Sequence, residues 1–130
     1  MFDDPAGPIE HFEWGMYVVN GVSHGKSGDT VIGAGKDIRI VGGNVTAWRE
    51  RRGHRLSPDM ITGVFGVGVE TLIIGTGADG LIEYSEEVAA SIRLRGISCI
   101  IGAPTPESCR IYNEMHRSGK RVALLAHGTC

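Results

Sequence analysis

One loop in the middle of the chain has the glycine spacing of a dinucleotide-binding turn. An apolar segment, 69–74, is followed by a loop, 75–80, that reads Gly-x-Gly-x-x-Gly. A dinucleotide site also needs a helix that opens at the third glycine and an acidic residue about 20 residues downstream for the ribose. The next helix is predicted to begin only at Ser85. The end of the following strand, 100–104, carries no acidic residue, and the first one after it is Glu107. We therefore predict that the chain binds no dinucleotide cofactor.

The same loop lies where α/β proteins place other ligands, at the carboxyl ends of parallel strands. If the apolar segments pair in parallel, this edge also receives a helix start at Thr105 and the end of the last strand at His127. A helix start presents free backbone amides, which attract anions. We therefore predict that any ligand is a small anion and that its site is formed by Gly75, Thr76, Gly77, Thr105 and His127.

Two polar residues further along the same predicted helix join these candidates. Tyr112 follows Thr105 by seven residues, so the two lie on one helix face. The alternative for Tyr112 is a core residue with a satisfied hydroxyl. Asn113 is a mediocre helix former and is expected to make a specific hydrogen bond, either to the backbone or to a ligand.

A cysteine and a histidine close together in sequence raise the question of a nucleophile. Cys130 lies three residues after His127, but its own α-carboxylate would disfavour the thiolate, so we expect an unreactive thiol. The cysteines form no C-x-x-C pair, and the histidines are scattered without metal-ligand spacing. The sequence therefore predicts no catalytic residue and no metal site.

The one basic cluster is Trp48-Arg49-Glu50-Arg51-Arg52, continued by Gly53-His54-Arg55. It could bind a phosphate or the acidic surface of a protein partner, and we take Trp48, Arg49, Arg51 and Arg52 as the candidate partner-binding residues. The alternative is a solvated turn after a strand.

Composition excludes several functional classes. A chain of 130 residues is expected to form a single domain spanning 1–130, and its net charge of −2 argues against nucleic-acid binding. The first residues do not resemble a signal peptide, and no apolar run approaches the roughly 20 residues that a membrane helix needs. An odd number of cysteines, three, is typical of a reducing compartment, so we expect a cytoplasmic protein.

The second half of the chain predicts an α/β fold. Strands are expected at about 69–74, 97–101 and 121–127, separated by helices that begin at Ser85 and Thr105. Near-continuous apolar strands between amphipathic helices indicate a central, mostly parallel sheet in a layered domain. Right-handed crossovers that proceed in one direction would place both helices on one face of that sheet.

The first half predicts short strands and turns. The aromatic and β-branched segment 11–19 leads into Asn20-Gly21, a hairpin turn pair. A second turn is expected at 24–29, and further strands at 30–32, 36–41 and 45–49. Together they form an N-terminal antiparallel β meander. One short helix begins at Ser57-Pro58, and with the meander it is expected to cover the sheet face opposite the two crossover helices.

Several of these segments, in this order, resemble a known family. The series is Ile73-Ile74-Gly75-Thr76-Gly77, Leu94-Arg95-Gly96-Ile97, Thr105-Pro106-Glu107, Tyr112-Asn113, Gly119-Lys120-Arg121-Val122 and His127-Gly128-Thr129-Cys130. It is similar to the family of small α/β domains of unknown function that includes the adipogenesis-associated protein of animals and a mitochondrial respiratory complex I assembly factor. The resemblance implies a mixed sheet with packed helices and an added antiparallel β part, and neither an enzyme activity nor a cofactor. It also implies action through protein partners.

Two functional hypotheses follow from these observations. The first is a non-enzymatic domain that binds a protein partner as an assembly or regulatory factor, with no nucleic-acid or membrane partner and with self-association left open. The second is a protein that binds, or acts on, a small anionic ligand at the edge around Gly75-Thr76-Gly77.

Overall fold

The computed structural model describes residues 1–25 and 37–130. Within these ranges the chain forms nine strands and two α-helices. The elements are β1 (Phe2–Asp3), β2 (Ile9–Glu13), β3 (Met16–Val19), β4 (Val22–Gly25), β5 (Asp37–Val41), β6 (Asn44–Ala47), β7 (Thr71–Gly75), α1 (Glu86–Leu94), β8 (Cys99–Ala103), α2 (Thr105–Arg117) and β9 (Val122–His127). The strand predicted at 30–32, most of the turn predicted at 24–29, and residue 36 lie outside the described residues.

The first four strands form an antiparallel sheet in sequence order. Asn20 and Gly21 join β3 to β4 with φ angles of 49° and 79°, so the predicted hairpin turn is confirmed. The apolar segment 11–19 is not one strand, because a turn at Trp14-Gly15 divides it into β2 and β3. Gly15 has a φ angle of 74°, a conformation that glycine adopts without a steric penalty.

The other five strands form a mixed sheet in the order β6-β5-β9-β7-β8. β7 pairs in parallel with both β8 and β9, which confirms the predicted parallel core of an α/β fold. β5 pairs antiparallel with β9, from Asp37 opposite His127 to Val41 opposite Ala123. β5 and β6 were expected in the N-terminal meander, but their hairpin extends the main sheet instead.

The two helices lie on opposite faces of the mixed sheet. On β7, Leu72 packs in one core cluster with Val88 of α1, whereas Ile73 packs in the other cluster with Tyr112 of α2. The prediction that both helices share a face was therefore wrong. β8 and β9 flank β7 on opposite sides, so the second crossover runs back in the other direction and a right-handed connection places α2 on the other face.

The covering of each face also differs from the expectation. The four-stranded sheet shares its core cluster with α2, through Phe12 and Tyr17. The α1 face is covered by a segment that includes Trp48 and a single 3₁₀ turn at Pro58–Met60. This turn replaces the short helix predicted at Ser57.

The starts of the two α-helices agree with the sequence patterns that predicted them. Ser85 precedes α1, and its hydroxyl accepts a hydrogen bond from the Val88 amide at 3.4 Å, as an N-cap residue does. α2 begins at Thr105, directly after Pro104. Neither described helix is long and apolar enough to span a membrane.

Candidate functional site

The glycine loop at the end of β7 is shaped by close approach of neighbouring backbone and side chains. A Cβ atom on Gly75 would stand 2.9 Å from the Thr105 hydroxyl and 3.0 Å from the Ala126 Cβ. A Cβ atom on Gly77 would stand 2.5 Å from the Cys130 carbonyl carbon, and the φ angle of Gly77 is 108°. Both positions therefore require glycine for packing, without any ligand.

Thr105 ties this loop to the end of β9. Its side chain is fully buried, and its hydroxyl accepts a hydrogen bond from the Gly77 amide at 2.9 Å and donates one to the His127 carbonyl at 2.7 Å. The Thr105 amide donates to the Gly77 carbonyl at 2.9 Å. The Thr105 amide, one of the helix-start amides expected to attract an anion, is therefore bonded to the protein's own backbone.

Residues 128–130, here called the tail, cover the rest of the predicted edge. The amide of Gly15 donates to the Gly128 carbonyl at 2.7 Å, and the amide of Ala78 donates to the Thr129 carbonyl at 2.5 Å. The Leu81 amide donates to an oxygen of Cys130 at 3.0 Å. The tail thus fills the space above Gly77 where a ligand was expected.

Tyr112 and Asn113 lie in the α2 core and not at the sheet edge. Asn113 is fully buried; its side-chain oxygen accepts from the Ile9 amide at 2.9 Å, and its side-chain nitrogen donates to the Ile9 carbonyl at 2.8 Å and to Asp4 at 3.1 Å. The expected specific hydrogen bond is therefore made to the backbone of β2. The Tyr112 hydroxyl is buried and has no hydrogen-bond partner among residues 1–25 and 37–130, and burial raises the pKa of Tyr112 to about 12.

His127 belongs to a buried charged network. Its Nδ1 lies 2.6 Å from Asp37 Oδ1, and the other oxygen of Asp37 lies 2.5 Å from Arg51 Nε. Burial would raise the pKa of the Asp37 carboxyl, but the hydrogen bonds from His127 and Arg51, together with the positive charge of Arg51, outweigh it and hold that pKa below its usual range. Asp37 is therefore ionised at neutral pH and orients the imidazole ring.

The basic cluster is divided between the core and the surface. Trp48 is 2 % exposed, and its indole nitrogen donates to the Met60 carbonyl at 2.8 Å. Arg51 pairs with Asp37, and Arg52 pairs with Asp59 at 2.9 Å on the surface. Arg49 is exposed. Trp48 and Arg51 therefore hold the fold together, and the four residues do not form a continuous partner-binding surface.

An open cleft of about 510 Å³ adjoins the predicted edge on the β8 side. Its wall is formed by the ends of β7 and β8, by the loop before α1, and by Arg55, which follows the basic cluster in the sequence. The lining residues are Arg55, Thr76, Gly80, Ile82, Glu83, Tyr84, Ser85, Gly102, Ala103 and Pro104. Thr76 is the only predicted ligand residue among them.

The cleft depends on a long-range backbone contact that sequence reasoning missed. Arg55 forms a parallel β-bridge with Glu83, in which the Leu56 amide donates to the Glu83 carbonyl at 2.8 Å. This contact brings the Arg55 guanidinium to the carboxyl edge of the sheet. The available sequence signal was the match between the apolar residues Leu56 and Ile82, both of which are buried in one cluster.

No cluster of three or more His, Cys, Asp or Glu residues in the described ranges could hold a metal ion. The lining of the cleft is instead suited to hydrogen bonding, because it combines a guanidinium, a carboxylate, a phenol and two hydroxyl groups.

A family model matches residues 9–127 of the chain. Its description is a protein of unknown function (DUF498/DUF598). The chain belongs to this family. No curated protein sequence matches it.

Solved structures share the fold. A conserved hypothetical protein of Pyrococcus horikoshii is similar with a TM-score of 0.68 at 20 % identity, over 94 % of this chain and 98 % of that one. A Xanthomonas campestris protein is similar with a TM-score of 0.68 at 20 % identity, over 92 % of this chain and 83 % of that one. A Mth938-like domain of Bordetella pertussis is similar with a TM-score of 0.56 at 16 % identity, over 98 % of this chain and 91 % of that one. At these identities the likeness shows the fold of this DUF498/DUF598 member alone.

Proposed function

We propose that this protein binds a small carboxylate in the cleft beside β8. The observation that carries the proposal is an open cleft of about 510 Å³ at the carboxyl ends of two parallel strands. Ligand pockets in proteins have volumes of roughly 300–1,000 Å³, and the carboxyl edge of a parallel sheet is their usual place in α/β folds.

The charges of the cleft define the class of ligand. Arg55 and Glu83 face each other at 3.8 Å, and their side chains are 78 % and 74 % exposed, so both are free to turn toward a ligand. Arg55 suits a carboxylate, whereas Glu83 accepts hydrogen bonds from an amine or a hydroxyl. A small metabolite that carries a carboxylate together with an amino or hydroxyl group satisfies both residues. This ligand class refines the simple anion expected from the sequence.

Thermal unfolding with L-amino acids, 2-hydroxy acids and inorganic phosphate tests this proposal. A ligand at a hundred times its dissociation constant raises the free energy of unfolding by about 2.7 kcal/mol, which moves the melting temperature by several degrees. We expect such a shift with at least one carboxylate, and we expect Arg55→Ala to abolish it. Arg52→Ala is the matched control, because Arg52 is also an exposed arginine paired with one acid but lies outside the cleft. A panel without a shift, or equal loss in both variants, contradicts the proposal.

A second candidate function is binding of an acidic segment of a protein partner at the opposite end of the sheet. A groove of about 200 Å³ there is lined by Val41, Gly42, Val67, Gly68, Val69, His116, Lys120, Arg121 and Val122. Val67 is 57 % exposed, Lys120 is exposed, and Arg121 is paired with Glu70 at 2.8 Å. Apolar lining with a cationic rim favours a peptide that alternates apolar and acidic residues. The resemblance to animal proteins that act through partners supports the same candidate. As a separate point, the three free cysteines support a reducing, cytoplasmic location of the protein.

A fluorescent peptide of alternating glutamate and leucine tests this candidate by anisotropy. We expect salt-sensitive binding that weakens about tenfold in Lys120→Glu, because charge reversal replaces attraction by repulsion. Arg52→Glu is the control for the same change of charge outside the groove. Absence of binding, or equal weakening by both substitutions, argues against a partner site in the groove.

A further inference from the structure

Cys130 lies between two imidazole rings. Its sulfur is 3.0 Å from Nε2 of His54 and 3.9 Å from Nε2 of His127. The cysteine is partly exposed, and His54 is exposed. His54 is 76 positions away in sequence, so this contact is created by the fold alone.

The hydrogen bond on the far side of His127 determines which ring nitrogen carries the hydrogen. The ionised Asp37 carboxylate only accepts hydrogen bonds, so Nδ1 of His127, at 2.6 Å, must be the donor. In the neutral ring, Nε2 then keeps its lone pair, and the groups near it are the Thr129 hydroxyl at 3.1 Å and the Cys130 thiol at 3.9 Å. Arg51 Nε at 2.5 Å and the Gly128 amide at 3.3 Å hold the carboxylate in place. This order of nucleophile, base and orienting acid is the arrangement that activates cysteine nucleophiles.

The surrounding amides determine which chemistry this thiol can perform. Acyl transfer needs backbone amides that are free to stabilise an oxyanion. The amides of Gly15, Ala78 and Leu81 already donate to tail oxygens, and that of Gly128 donates to Asp37. The amides bonded to the tail and its network therefore offer no oxyanion site. Attack on a peroxide needs no such site, because it displaces a hydroxide that requires only a proton.

We propose, in contrast to the unreactive thiol expected from the sequence, that Cys130 is a nucleophilic thiol that reduces hydrogen peroxide, with His127 as its base and Asp37 as the positioning residue. The thiol proton moves to Nε2 of His127, and the sulfur attacks one peroxide oxygen. The O–O bond breaks, a sulfenic acid forms on Cys130, and the departing hydroxide takes the proton from His127 to become water. The thiol is oxidised and the peroxide is reduced, with atoms and electrons balanced. This site does not depend on the ligand proposed for the cleft.

The other two cysteines provide internal references for the experiment. Cys99 is exposed on β8, so it reports the reactivity of an accessible thiol. Cys109 is fully buried, and burial raises the pKa of its thiol far above the usual range, so it should not react while the protein is folded.

Treatment of the folded protein with hydrogen peroxide and a sulfenic-acid trap, followed by mass spectrometry of each cysteine, tests this proposal. Because positioned acid–base groups accelerate such steps by about 10²-fold or more, we expect Cys130 to be trapped at least about 10-fold faster than Cys99. Asp37→Asn and His127→Gln are expected to bring the rate at Cys130 down to that of Cys99 while the Cys99 rate stays unchanged.

His11→Gln is the control for loss of a histidine, because the His11 ring pairs with Asp3 and Glu13 on β1 and β2 and belongs to neither proposed site. It should leave both rates as they are. If the Asp37→Asn or His127→Gln protein fails to fold, the trapping rates of Cys130 and Cys99 in the unchanged protein still test the proposal. Equal rates there, or a Cys130 rate that survives in a folded Asp37→Asn protein, overturns the proposal.

Discussion

Gly77→Ala is expected to lower the free energy of unfolding by about 3 kcal/mol and the melting temperature by about 10 °C. The new methyl group would stand 2.5 Å from the Cys130 carbonyl carbon and oxygen, which are backbone atoms that cannot rotate away. The tail must then move, with loss of the hydrogen bonds from the Ala78 and Leu81 amides. Backbone strain adds to this, because an alanine disfavours the φ angle of 108°.

Gly96→Ala separates the strain from the collision. Gly96 has a φ angle of 104°, close to that of Gly77, but a Cβ atom there would meet nothing within 4 Å. We expect it to lose only about 1 kcal/mol, as an alanine in a left-handed position does. Chemical denaturation measures both values, and amide hydrogen exchange at Ala78 and Leu81 reports detachment of the tail. Equal losses in the two variants, with both amides still protected, would show that the tail does not pack on Gly77.

Asn113→Leu is expected to cost about 3–5 kcal/mol of folding stability. The substitution keeps the approximate size of the side chain but removes its bonds to the amide and carbonyl of Ile9 and to Asp4. Ile9 is fully buried, so its backbone amide and carbonyl would each lose a hydrogen bond inside the core. The same side chain hydrogen-bonds α2 to β2, in addition to the apolar contacts between them, and its loss should therefore loosen the four-stranded sheet.

Asn44→Leu makes the same chemical change at the exposed start of β6 and should alter stability by only about 0.5 kcal/mol. Urea unfolding gives the two free energies, and hydrogen exchange at the Ile9 amide identifies where the loss occurs. A loss below 1 kcal/mol for Asn113→Leu, or an Ile9 amide that stays protected, would contradict the structural role assigned to Asn113.

Local patterns predicted much of the fold but not the contents of the site. The parallel strands and the N-cap at Ser85 follow from residue periodicity and capping chemistry, which act over a few residues. Burial of Trp48 was not predictable in this way, because its sequence neighbours are mostly charged and its partner Met60 lies 12 residues away. For the same reason, the basic cluster was interpreted as a surface feature, although it contains the buried indole of Trp48.

The candidate site shows the same limit. The requirement for glycine at 75 and 77, and a place at the carboxyl edge of the sheet, were evident from the loop pattern. The segment that fills this edge was not evident from the loop pattern, because the tail reaches Gly77 only through the pairing of β9 with β7. The cleft was displaced toward β8 by the bridge between Arg55 and Glu83, two residues whose types predict no pairing of their backbones.

By itself, the sequence determined the α/β class, the positions of the parallel strands and crossover helices, and the resemblance to a family of unknown function. These features depend on interactions within short segments. Only the tertiary structure decided the strand order β6-β5-β9-β7-β8, the opposite faces of α1 and α2, and the meeting of Cys130 with His54 and His127. Strand order is set by the pairing and packing of distant segments, and periodicity along one strand does not record which neighbour it pairs with.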